Sequence, residues 1–250
     1  MTISKEDWQD YIGRLRNINK TAAEKMQAYI EANGIDNLEA ATQYAYKLSS
    51  TFGAQAAEVA AEMYNATAAA EAVYVAPAVL AAPPTYAEVA SPMFNVTNFS
   101  QNPPTIASEV GRLVKRTAAD TTLKNALRDG AQFAWIPSGD TCAFCMTLAA
   151  NGWQNASKKA IKNGHAEHIH PNCDCNYCVR FDNSTNVAGY DPSEYLEKYY
   201  EADGNTSKQR INAMRREQYA ENKDKINAQK RAAYAARKER ESEGQPDTEN

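Results

Sequence analysis

The sequence predicts a mainly α-helical fold with a small β component (α+β). It consists of a helical hairpin or bundle body, a zinc-knuckle subdomain of short strands, and a protruding basic C-terminal helix. Three observations carry this reading. Apolar residues recur at three- and four-residue steps over residues 4–33, and again over 105–129. All five cysteines and all three histidines fall between Asp140 and Cys178. A fifteen-residue repeat rich in Lys and Arg fills the end of the chain.

Residues 1–74 are expected to form the N-terminal helical hairpin. Trp8, Tyr11, Ile12, Leu15, Ile18, Ala22, Met26, Tyr29 and Ile30 share one face of the first helix. Ser4 caps it and Gly34 stops it. Asp36 is expected to cap a second, alanine-rich helix that can approach a neighbour closely. Gly53 is a place where that helix can kink or divide. Tyr44, Phe52 and Tyr64 read as core. The short connection makes the two helices an antiparallel pair.

Residues 75–104 hold Pro77, Pro83, Pro84, Pro92, Pro103 and Pro104, which argue against a long helix. The stretch is still apolar, so it reads as an extended arm or packed loop, crossing its own helical core or a neighbouring subunit. Residues 105–204 are expected to hold one more helix and the Cys/His module. That helix ends at Gly130, and its Arg112, Lys115 and Arg116 read as a solvated basic face rather than a phosphate contact. AQFAWIP then suggests a strand, 141–150 a short helix, 154–167 a loop and 170–181 a turn and strand. Asp191-Pro192 opens another helix.

Residues 205–250 are a basic repeat helix and an acidic tail. The run from Ile211 to Ala220 recurs from Ile226 to Ala235. Four helical turns take about 14.4 residues, so Ile211 and Ile226, or Tyr219 and Tyr234, stay near one face. Residues 208–240 carry eleven Lys/Arg and four acids, about +7, within a chain of net charge −4. Basic side chains interleaved with tyrosines fit a phosphate backbone or an acidic protein groove. Arg215, Arg216, Lys230 and Arg231 are the candidate contacts, set against a plain solvated helix.

Cys142 and Cys145 form a C-x-x-C, which lets two thiolates reach one ion from a tight turn. About thirty residues on, His170, Cys173 and Cys175 stand as H-x-x-C-x-C, and Cys178 follows. Zinc takes four such ligands. Cys142 and Cys145 are favoured, with His170, Cys173 and Cys175 competing for two places; Cys178, His168 and His165 come next. A structural ion is favoured over a catalytic one, for which Glu167 and Asp174 are the local carboxylates after Asp140. A disulfide suits neither the odd count nor the lack of a secretory signal. A redox pair lacks its βαβ context, and a metal-free cluster of buried thiols is the remaining alternative.

The segment CAFCMTLAANGW, followed by HPNCDC and VRF, resembles the minor head proteins of tailed phages related to the Mu F protein, the head morphogenesis family, in its actinophage-type branch. Cys142, Ala143, Phe144, Cys145, Leu148, Ala149, Gly152, His170, Cys173, Asp174 and Cys175 fit that pattern, and Cys178 departs from it. The resemblance implies a minor capsid protein inside the head near the portal, formed in the host cytoplasm and acting in head assembly and DNA packaging or delivery. Portal protein and other head proteins are the implied partners, with packaged DNA reached through the basic helix.

Composition narrows the alternatives. The net charge argues against a uniformly basic nucleic-acid binder, and no apolar run approaches a membrane span. A zinc-stabilised H-N-H nuclease is the enzyme alternative, on His168, His170 and Asn172. No histidine follows His170 to complete such a site. A zinc-bearing nucleic-acid module is the other alternative, with only Lys158, Lys159 and Lys162 as basic residues between the half-sites.

Overall fold

Three long helices make the body of the computed structural model, which describes residues 2–100, 102–138, 141–160, 169 and 174–243. Helix α1 (Lys5–Asn33) starts at Ser4, whose side chain accepts the Asp7 N–H, and stops at Gly34, where φ is 70°. The predicted face is the buried one: Trp8, Tyr11, Ile12, Leu15, Ala22, Met26 and Ile30 all point inward. Ahead of α1 lies a two-residue strand, β1 (Thr2–Ile3).

Helix α2 (Leu38–Ala70) is capped by Asn37, one residue past the expected Asp36. It runs unbroken through Gly53. That glycine is a point of close approach rather than a kink: a Cβ there would stand 3.0 Å from Thr117 Oγ1 on the facing helix. Buried alanines at 41, 45, 56, 57, 60, 61 and 68 let α2 lie against both neighbours. Tyr64 is fully buried, while Tyr44 stacks on Tyr29 with ring centroids 4.4 Å apart.

The proline-rich segment is half as predicted. Residues 73–85 form neither helix nor strand and cross the chain's own body. Asn65 Oδ1 accepts the Ala78 N–H, Asn125 Oδ1 accepts that of Val79, and Thr121 Oγ1 accepts that of Ala81. The rest forms helix α3 (Tyr86–Phe99), with Pro92 inside it. An interior proline costs about 3 kcal/mol. Two things offset it: a Thr85–Glu88 capping box, and full burial of Val89 and Met93, worth roughly 1.5–3 kcal/mol each.

Helix α4 (Pro103–Asp129) carries prolines in its first turn, where the missing N–H is not needed, and ends on left-handed Gly130. Its expected solvated basic face does not exist. Lys115 is buried, its Nζ 5.3 Å over the Trp135 ring. Arg112 pairs with Glu109, and Arg116 reaches Glu88 and Asp120. The i,i+3 and i,i+4 acids on the same helix, together with α3, absorb the charge.

A three-stranded antiparallel sheet closes one end of the body. Strand β2 (Gln132–Ile136) lies between β3 (Gln154–Asn155) and β4 (Asn176–Arg180). The first two residues of the expected 154–167 loop are therefore strand. Helix α5 (Ala143–Ala149) lies between β2 and β3, and one turn, α6 (Lys158–Ala160), follows β3. Strand β1 pairs in parallel with β5 (Asn186–Val187), burying Ile3. A two-residue strand has too short a period to show in sequence.

The turn between β4 and β5 is held by Asp182, whose carboxylate accepts the N–H groups of Ser184 and Thr185. The Thr185 N–H, first among these donors, holds the acid down to about 2. The sign follows. A depressed folded value stabilises above the unfolded value of about 3.9, and that contribution is lost as pH falls through about 2. Thermal unfolding of the Asp182→Asn variant should fall less steeply between those two pH values than that of the parent chain.

Helix α7 (Pro192–Glu201) begins on the Asp191 cap as expected. Helix α8 (Ser207–Glu243) is continuous through both copies of the repeat.

Candidate metal centre and the helix that grips it

The sheet sorts the cysteines. Side chains alternate across β2 and β4. On one face, Phe133 and Trp135 meet Tyr177 and Val179 in a cluster that includes Cys145 and Cys175, with Cys142 packed against it. On the other face, Ala134, Ile136 and Cys178 belong to the main helical core. Cys175 and Cys178 are three residues apart, an odd step along extended chain, so they point to opposite sides. The second C-x-x-C is therefore not a knuckle. Cys178 is a core residue, its thiol pushed far above the ordinary range by burial.

Cys142 and Cys145 do share one tight turn. Cys142 sits at the N-cap of α5, and its Sγ accepts the Cys145 N–H at 3.4 Å. This arrangement favours a thiolate, since the donor points at the sulfur that would carry charge. Cys145 is 1% exposed and Cys142 half-buried, so the pair faces a sheltered but reachable space. The Cys175 Sγ lies 4.0 Å from the Ser138 carbonyl oxygen. The four described cysteines form no disulfide with one another.

The chemistry of this donor set fits zinc, because soft sulfur ligands come from two chain segments against one wall of aromatic side chains. Among the described residues, no three His, Cys, Asp or Glu side chains gather as a metal site. His165, His168, His170 and Cys173, the remaining candidates, lie outside the described residues, as do Glu167 and Asn172. Asp174 precedes Cys175 and is paired with Arg16 of α1 at 2.8 Å. That pair is largely exposed, so it positions the segment more than it stabilises it.

Two aromatic hydroxyls near the cluster are shifted. Tyr177 is raised by burial first and then by the neighbouring Cys145. Tyr195 of α7 is raised by burial, then by Glu194 and Cys175. Both stay protonated at neutral pH.

Sequence reasoning missed Gln218. Its Nε2 donates to the Thr141 carbonyl at 2.8 Å, and its Oε1 accepts the Ala143 N–H at 3.1 Å. One side chain of α8 thus grips the backbone on both sides of Cys142. Met214, one turn earlier, is 4% exposed against the body. A signal for this was present in the repeat. Where the first copy has Met214 and Gln218, the second has Gln229 and Ala233. The near half of α8 therefore docks, and the protrusion begins after it.

Arg215, Arg216, Lys230 and Arg231 are all exposed, as are Tyr219 and Tyr234. Arg215 and Tyr219 line a cleft of about 810 Å³ that also borders Cys142, Tyr195 and Lys198. No helix among the described residues is long and apolar enough to cross a membrane.

The model of one family, described as VG15 protein, matches residues 2–202. The match takes in the helical body, the sheet and the Cys142–Cys145 turn, and ends before α8. No curated protein matches the chain, and no solved structure does.

Proposed function

Because the chain belongs to the VG15 protein family, a phage gene-product family, we propose that it is a minor capsid protein of the head morphogenesis type, sited inside the head beside the portal. It acts there in head assembly and in DNA packaging or delivery. The observation that carries this reading is the thiol cluster. Cys142, Cys145 and Cys175 share one packed cluster, and they belong to the segment that resembles the minor head proteins. On this reading, zinc is held by Cys142 and Cys145 with two of His170, Cys173 and Cys175. The ion braces the turn that begins α5, and no reaction is performed there.

The basic helix α8 is the element that reaches other components. Its exposed cations project beyond the body, and a helix with so few large apolar residues gains order from a partner. Fractionated virions test the assignment. The chain is expected to co-purify with the portal after the shell is removed, at a few copies per particle. Recovery only with the shell, or absence from the particle, would refute it.

A further inference from the structure

The helical body carries a groove whose chemistry matches the far half of α8. It runs between the start of α1 and the end of α2, with a volume of about 440 Å³. Ile3, Val59 and Met63 form its floor, and Asp7, Asp10 and Glu62 stand on its rim with Arg14, which is ion-paired to Glu62. Its α2 wall extends from Val59 to Ala70, a rise of about 17 Å, enough for three helical turns.

The far half of α8 supplies the complement. Lys230, Arg231, Tyr234 and Lys238 are exposed, while the near half of the helix rests on α5 and α7. From Asn227 to Glu243 the helix rises about 25 Å. A tyrosine flanked by cations suits an apolar floor between carboxylates. With Arg14 offsetting one of the three acids, the short groove gives modest affinity per contact, so the contact gains strength by repetition.

We propose that the far half of α8 docks into the acidic-rimmed α1–α2 groove of a second copy of this chain. The contact is heterologous: helix and groove are different surfaces, so each copy offers one of each. Such contacts close into rings when the rotation permits. The inference stands on charge, length and exposure, and does not depend on the function proposed above.

Sedimentation of the full-length chain tests it. Self-association is expected to rise with concentration and weaken with salt. Lys230→Glu with Arg231→Glu is expected to weaken it at least tenfold, and so is Asp10→Lys with Glu62→Lys. Circular dichroism checks that both variants are folded. Mixing the two is expected to restore association, because the unaltered helix of the second meets the unaltered groove of the first, and the acidic helix of the first meets the basic groove of the second. A photo-crosslinker in place of Tyr234 is expected to capture the segments around Ile3 or Met63. A chain that remains monomeric, a mixture that does not associate, or crosslinks confined to other surfaces would each overturn the proposal. Duplex DNA binding by a monomer through Lys230 and Arg231 would assign the helix to nucleic acid instead.

Discussion

Purified under reducing conditions, the chain is expected to carry close to one zinc ion per molecule and to lose it on Cys145→Ser substitution. Structural zinc contributes on the order of 10 kcal/mol of folding free energy in small modules. Here the Cys142–Cys145 turn is one edge of a larger fold. Chelation should therefore release α5 and the chain around it while α1, α2 and α4 stay helical. Hydrogen exchange would show this as lost protection confined to the α5 region. Cys178→Ala is the matching control. Its thiol lies in the helical core, on the other face of the sheet from Cys145. That variant should keep its zinc and lose about 1–2 kcal/mol from reduced burial. A fully folded preparation without metal, or zinc lost on Cys178→Ala, would contradict the assignment.

The second large effect is expected at Glu71, which joins the helical body to the sheet. Its Oε2 accepts the N–H groups of both Phe181 and Asp182, each at 2.8 Å. A part-buried N–H left without an acceptor costs about 1–3 kcal/mol. Glu71→Ala strands two of them, so a loss of about 2–5 kcal/mol is expected in urea unfolding. Glu71→Gln keeps an acceptor oxygen and should lose less than half as much. Equal losses in the two variants would mean that charge, not the acceptor, matters there.

Helical periodicity made α1 readable almost residue by residue, because its burial, cap and stop are all local. The alanine-rich α2 was readable as a helix, but the role of Gly53 was not, since it depends on Thr117 sixty-four positions away. Pro92 misled for a related reason: the burial of Val89 and Met93 that outweighs it is tertiary. The charges of α4 pointed to solvent in sequence, yet Lys115 found the Trp135 ring, a partner on a strand whose register was not known.

That Cys142, Cys145 and Cys175 come together was legible from their gathering in the sequence. What sequence could not supply was parity. Cys178 looked like a second half-pair until β4 gave it a direction. Gln218 was hidden among surface polar residues, although its loss from the second repeat copy marked the docking face. The parallel pairing of residues 2–3 with 186–187 left no trace that a single sequence could show.

The grip of Gln218 on Thr141 and Ala143 makes the cysteine turn a fulcrum. From that point the rod formed by α8 runs on for about 38 Å to Glu243. A tilt of only about 10° at the turn displaces the far end by roughly 6–7 Å, given that length. Small adjustments in how the two thiols are seated thus become large changes in where the distal cations are aimed.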